Sequence, residues 1–199
     1  MAIVRLNWST VYCFQWGYRE AETVPACRPE EALRLGADAV LVSLTLETGS
    51  EARDARNVEV FRDLCGEAKE FGLPVIGEYY PAEPEKLSPE ELHRKVFVAA
   101  RIITELGADL IKTFYTNNFK LVTESCPVPI LGLGAEKRPT QLAALRLAAD
   151  EVADGAMGVV FGRNAIQVPD PSAFQRALCD VVKRGISPEE AVKRYSLKE

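Results

Sequence analysis

The sequence predicts an α/β fold in which parallel strands alternate with crossover helices, at spacings compatible with a (β/α) barrel. Three observations predict it. Short runs rich in Val, Ile and Leu recur along the chain, too apolar to carry a solvent face, as strands covered on both sides are. Between them lie longer segments with apolar residues at helical spacing. Glycine closes those segments just before the next apolar run, at Leu35-Gly36, Phe71-Gly72 and Leu106-Gly107. Helix, glycine, strand, repeated in that order, describes a parallel sheet with crossovers.

The apolar runs occupy residues 2–6, 37–46, 73–76, 108–111, 128–131 and 156–161. Their starts are spaced as the βα units of a barrel are. After the first run, Pro29-Glu30-Glu31 opens a helix that Gly36 closes. The next helix places Val58, Phe61, Leu64, Cys65 and Ala68 on one face. Ser88-Pro89-Glu90-Glu91 supplies an N-cap hydroxyl, a first-turn proline and a carboxylate that can reach back to the cap. The helix that follows faces inward with Leu92, Val96, Ala99, Ile102 and Ile103. A later one does so with Leu142, Leu145, Ala149 and Val152, and Ser187-Pro188-Glu189-Glu190 starts a last short helix. No Ser/Gly/Pro-rich linker interrupts the series, and the Pro-rich stretch at 81–86 reads as a loop after a strand. The expectation is one domain over residues 1–199, built of about six βα units.

Composition narrows the function classes. The 199 residues are 47% hydrophobic and 27% charged, a globular balance. No run approaches the roughly 20 apolar residues a membrane span needs, and the N-terminus lacks a signal-peptide pattern. A cytoplasmic location is expected. The net charge of −5 argues against a surface that neutralises nucleic-acid phosphates. Five scattered cysteines and a single histidine, His93, give no metal-ligand spacing, so no metal is expected. The cysteines read as small apolar residues, and His93 as part of a solvated helix face.

Three features lie where strands end, the position at which such folds build active sites. Lys112 closes the apolar run Leu110-Ile111. Burying an ammonium is costly, so a lysine there is paired, held neutral or extended towards solvent. A neutral amine is what attack on a carbonyl requires. Tyr80 ends another strand, with Glu78 two residues earlier on the same face, and either group could move protons beside such a lysine. Two adjacent tyrosines are equally compatible with packed aromatics. The third feature is a pair of glycine-rich strand ends, Leu131-Gly132-Leu133-Gly134-Ala135-Glu136-Lys137 and Phe161-Gly162-Arg163-Asn164. Glycine lets backbone N–H groups approach an anion, and Arg163 can add a forked contact to phosphate.

Taken in order, several motifs resemble the archaeal-type class I fructose-bisphosphate aldolase family, the DhnA or DeoC/LsrF-type Schiff-base aldolases. They are Val4-Arg5-Leu6-Asn7, Leu35-Gly36-Ala37-Asp38, Pro74-Val75-Ile76 with Tyr80-Pro81, Leu106-Gly107-Ala108-Asp109 with Lys112-Thr113, Cys126-Pro127-Val128-Pro129, and Phe161-Gly162-Arg163-Asn164 with Gln167, together spanning residues 3–167. The resemblance implies a (β/α)8 TIM barrel that works through a lysine Schiff base without metal or other cofactor. It assigns the Schiff base to Lys112 and the proton-transferring tyrosine to Tyr80. The phosphate contacts it assigns to Gly134, Ala135, Lys137, Gly162 and Arg163.

The chain departs from the family pattern at identifiable places. The family's Asp-His-Gly strand is absent, so the expected barrel is truncated at its N-terminus to about six βα units. Ser43 stands where the family often has histidine, and Glu78 where it tends to have tryptophan. An open barrel has strand edges, and Trp8, Tyr12, Phe14, Trp16 and Tyr18 crowd the segment beside the first. A core, a lid or a homo-oligomer contact would use them. The implied substrate is a phosphorylated sugar or small carbonyl compound such as fructose 1,6-bisphosphate. The alternative is a catalytically impaired barrel remnant that binds phosphate or forms an oligomer.

Overall fold

The computed structural model describes residues 1–13, 16–18 and 20–198. They fall into two compact units, Met1–Pro129 and Ile130–Glu199.

The first unit is built on a parallel sheet of β1 (Ile3–Arg5), β4 (Ala39–Leu44), β5 (Val75–Tyr79) and β6 (Leu110–Phe114), neighbours in that order. The antiparallel strands β2 (Asn7–Ser9) and β3 (Thr23–Pro25) form a separate pair. Between the parallel strands run α1 (Pro29–Arg34), α2 (Glu51–Glu70) and α3 (Pro89–Glu105), and α4 (Phe119–Ser125) follows β6. The expected starts and stops hold. The Ser88 hydroxyl accepts from the Glu91 N–H at 3.2 Å, and the Glu91 carboxylate accepts from the Ser88 N–H at 2.9 Å. Gly36, Gly72 and Gly107 all sit at positive φ just past their helices. Helix α2 buries Phe61, Leu64, Cys65 and Ala68, and α3 buries Val96, Ala99 and Ile103. Strand residues Val40, Val42, Val75 and Ile111 complete that core with no exposure at all.

The first apolar run is shorter than its hydrophobicity suggests. Parallel pairing ends at Arg5, and the Leu6 carbonyl accepts from the N–H groups of Ala26 and Cys27. The chain then passes into β2 and a single 3-10 turn, Thr10–Tyr12, which Ser9 caps. Of the aromatic segment, Trp8, Trp16 and Tyr18 are exposed, Tyr12 turns inward, and Phe14 lies outside the described residues. His93 is half-buried, with Nδ1 3.0 Å from the Thr116 hydroxyl, so it is not a freely solvated side chain.

The second unit holds β7 (Ile130–Leu133) parallel to β8 (Gly158–Val160), with α5 (Gln141–Ala153), α6 (Arg163–Ile166), α7 (Pro171–Arg184) and α8 (Pro188–Arg194). Its core gathers Ala144, Leu145, Phe174, Ala177, Val181 and Ala191. The buried face of α5 differs from the one expected. Ala144, Leu145, Ala148 and Glu151 are buried, whereas Leu142, Ala149 and Val152 are only half-buried. The helix packs on β7 and β8 and also on α7 and α8, so a single apolar stripe does not describe it. No described helix is long and apolar enough to cross a membrane.

Candidate active site

In the first unit, strand register creates the site. Residues Glu78 of β5 and Lys112 of β6 are directly paired, and Ser43 of β4 pairs with Glu78 from the other side. Paired residues of parallel neighbours point to the same face of the sheet, so these three side chains form one row. The Lys112 ammonium donates to Glu78 Oε1. Glu78 Oε2 accepts from Arg5 Nη2 at 2.5 Å and from the Tyr12 hydroxyl at 2.6 Å. Arg5 Nη1 in turn donates to the Tyr12 hydroxyl at 2.9 Å, and the guanidinium lies 4.7 Å from that ring's centroid. Glu78 is only 2% exposed. One buried carboxylate is therefore shared by two cations and a phenol.

The electrostatics follow from that sharing. Burial pushes the Glu78 carboxyl up, but Lys112, Arg5 and the Tyr12 hydrogen bond together hold it below the ordinary carboxylate value. Burial, reinforced by the Glu78 charge, raises the Tyr12 phenol well above its ordinary value. Tyr12 therefore stays protonated across the neutral range and serves Glu78 as a hydrogen-bond donor.

Tyr80 sits one step further along the same face. Its ring packs edge-on against Tyr12 at 5.1 Å and against Phe114 at 5.2 Å between centroids. Its backbone is tied down, since its carbonyl accepts from the Thr45 hydroxyl at 2.6 Å. At the Ser43 end of the row, the Asn7 side chain takes the place of a neighbouring strand for β4. Its amide donates to the Ser43 carbonyl at 2.7 Å and its oxygen accepts from the Ser43 N–H at 2.9 Å. Thus Lys112 and Glu78 are in direct contact, and Tyr80 packs on Tyr12, which hydrogen-bonds Glu78.

The sequence reading passed over Arg5 and Tyr12 as site residues. Arg5 carried a usable signal, because a lone cation in an apolar strand is the same anomaly that singled out Lys112. Tyr12 carried none, since it reaches Glu78 across 66 residues of chain.

In the second unit, the two glycine-rich strand ends meet. Ala135 adopts a left-handed conformation at φ 46, and Arg163 Nη2 donates to its carbonyl at 2.8 Å. A Cβ on Gly134 would come within 2.8 Å of the Phe161 ring and 2.9 Å of Asn164 Nδ2. The Asn164 amide donates to the Gly134 and Glu136 carbonyls at 2.8 and 3.0 Å, and its oxygen accepts from the Arg138 N–H at 2.6 Å. Asn164 is thus the brace of the loop after β7, a role the sequence did not reveal. Gly162 has open space around its Cα. Lys137 lines a cavity of about 180 Å³ with Arg138, Thr140 and Asn164. The unit therefore holds Gly134, Ala135, Gly162 and Arg163 as one group, with Lys137 beside Asn164.

Comparison with known proteins decides the lineage. Residues 2–168 match the model of the DeoC/LacD family aldolases. The chain belongs to that aldolase family. An uncharacterized aldolase of Saccharolobus solfataricus is 31% identical over 199 residues, 97% of this chain and 72% of that protein. A 2-amino-4,5-dihydroxy-6-oxo-7-(phosphonooxy)heptanoate synthase of Streptomyces griseus is 31% identical over 156 residues. That match covers 77% of this chain and 56% of the synthase, so the chain spans little more than half of that relative. Among solved structures, an archaeal fructose 1,6-bisphosphate aldolase superposes with a TM-score of 0.77 at 32% identity, covering 90% of this chain and 70% of the other. Another archaeal fructose-1,6-bisphosphate aldolase, at 31% identity and the same TM-score and coverage, was solved with its catalytic lysine covalently bound to the carbinolamine intermediate of its substrate. The fold is accordingly α/β of the (β/α) TIM-barrel type, with six parallel strands among the described residues.

Proposed function

We propose that this family member is a class I aldolase that makes or breaks a carbon–carbon bond in a phosphorylated ketose or related sugar phosphate. The observation that carries the reading is the register pairing of Lys112, midway along β6, with buried Glu78 near the end of β5. Lys112 Nζ, as the free amine, adds to the ketone carbon, and the carbinolamine hydroxyl takes a proton from solvent and leaves as water, giving a protonated iminium. In cleavage, Tyr80 takes the proton of the substrate hydroxyl, that carbon leaves as an aldehyde, and the electrons of the broken carbon–carbon bond move into the iminium and give an enamine. In the reverse direction the enamine carbon attacks an aldehyde, and the Tyr80 hydroxyl gives its proton to the new alkoxide. Glu78 assists by charge beside the nitrogen. Gly134, Ala135, Lys137, Gly162 and Arg163 are the proposed phosphate contacts. The two named activities of relatives, on fructose 1,6-bisphosphate and a 7-phosphonooxy heptanoate, support a phosphorylated carbonyl substrate. The proposed chemistry uses neither metal nor organic cofactor.

The test is borohydride reduction in the presence of dihydroxyacetone phosphate. The expected result is a mass increase located at Lys112, lost in Lys112→Met and unaffected by EDTA. Binding of dihydroxyacetone phosphate with no adduct overturns the reading. It favours the alternative, a phosphate-binding remnant.

A further inference from the structure

The shared carboxylate raises a question the Schiff-base reading does not answer. Lys112 must shed its charge before it can attack a carbonyl, yet its partner is a buried carboxylate. Neutralising one member of a buried ion pair ordinarily strands the other as an uncompensated charge, which is strongly unfavourable. A simple Lys112–Glu78 pair would therefore resist the first step of the reaction.

The surroundings of Glu78 remove that obstacle. Its second oxygen is held by Arg5 and Tyr12 from elements far away in the chain, 73 and 66 residues distant. Arg5 cannot lose its proton in a protein, so it compensates Glu78 whatever Lys112 does. Tyr12 accepts from Arg5 and donates to Glu78, so its hydroxyl fixes the angle between guanidinium and carboxylate. The groups facing Glu78 are Arg5 from β1, Tyr12 from the 3-10 turn and Lys112 from β6, and β4 opposes it with the neutral Ser43. Two cations and one carboxylate leave a net positive charge, which lessens when Lys112 discharges.

We propose that Arg5 and Tyr12 are positioning residues of this site. They hold Glu78 with one oxygen towards Lys112, and they supply the compensation that lets the lysine nitrogen discharge without stranding the carboxylate. In this arrangement Glu78 stays ionised through the reaction and acts by its charge, and the proton that accompanies bond cleavage is carried by Tyr80. The proposal rests on the Schiff-base reading for its chemical meaning, but its physical content can be measured without it.

Two measurements on the whole chain test it. The first is carboxyl carbon NMR titration of Glu78, assigned with Glu78→Gln. In Arg5→Met the Glu78 midpoint should rise by about one to three pH units, as expected on removing an adjacent opposite charge. Tyr12→Phe, which deletes one hydroxyl and keeps the ring, should raise it by less. The second is the pH profile of borohydride trapping with dihydroxyacetone phosphate. Its midpoint should move to higher pH in Arg5→Met, move slightly in Tyr12→Phe, and return close to wild type in Arg5→Lys. A merely structural role would lower thermal stability in all three variants and leave both midpoints in place. An unchanged Glu78 midpoint in both Arg5→Met and Tyr12→Phe overturns the proposal. If the wild-type chain traps nothing, the aldolase reading fails by itself, and the Glu78 titration still decides whether Arg5 and Tyr12 hold it.

Discussion

Glu151 offers the sharpest test of how burial governs this molecule. It lies on α5 with no exposure, and neither carboxylate oxygen has a hydrogen-bond partner among the described residues. Its carboxyl occupies space that a side chain on β7 would need, since a Cβ on Gly132 would fall 2.3 Å from Glu151 Cδ. Burial pushes the group up from about 4.5 to about 8, opposed by Arg138 and aided by Asp150. The folded protein therefore binds one more proton than the unfolded chain between those two values. Stability is fullest below pH 4.5, falls as pH rises from there, and levels off above pH 8. At 1.36 kcal/mol per pH unit, the loss from this group reaches about 3 kcal/mol by pH 7 and about 5 kcal/mol above pH 8. Against a total stability of roughly 5–15 kcal/mol, that is a large share. Glu151→Gln keeps the shape and removes the titration. Urea unfolding followed by circular dichroism should show little change at pH 5. At pH 8.5 the variant should be several kcal/mol more stable, with a flatter slope between. A variant whose stability follows the same pH dependence as wild type would refute the argument, because some other group would then have to carry the slope.

Three further outcomes follow from the packing. Asn7→Ala leaves the buried N–H and carbonyl of Ser43 unpaired and should cost about 3 kcal/mol in urea unfolding, with an unchanged denaturant slope. Gly134→Ala drives a methyl into the Phe161 ring and Asn164, and should cost about 1–3 kcal/mol. Calorimetric titration with inorganic phosphate should also show weaker binding if this loop holds the substrate phosphate. Self-association is expected as well, since Trp8, Trp16 and Val24 are large apolar side chains left exposed in the segment that follows β1. Sedimentation velocity should then give a mass above 21.9 kDa, and a strictly monomeric boundary at high concentration would count against it.

Much of this molecule was legible without coordinates, and the reason is range. The Ser88 capping box, the prolines at first helical turns and the glycines past helix ends all act within a few residues, so the alternation of strand and helix could be read directly. The anomaly of Lys112 was equally local, a cation closing an apolar run. Helix α7 escaped notice although Asp170-Pro171 caps it in the same way, with the Asp170 carboxylate accepting from the Ala173 N–H at 2.9 Å. What local pattern could not convey was convergence. The β2–β3 pair, the rotated face of α5 and the brace by Asn164 each depend on which distant segment comes to lie alongside. The same holds for the site. Sequence spacing marked Lys112, Tyr80 and Glu78, but Arg5 and Tyr12 join Glu78 only because strand pairing and the turn after β2 bring remote segments to one carboxylate. A residue's chemistry is written in its type and its neighbours in sequence. Its charge state and its partners are set by what the folded chain packs against it.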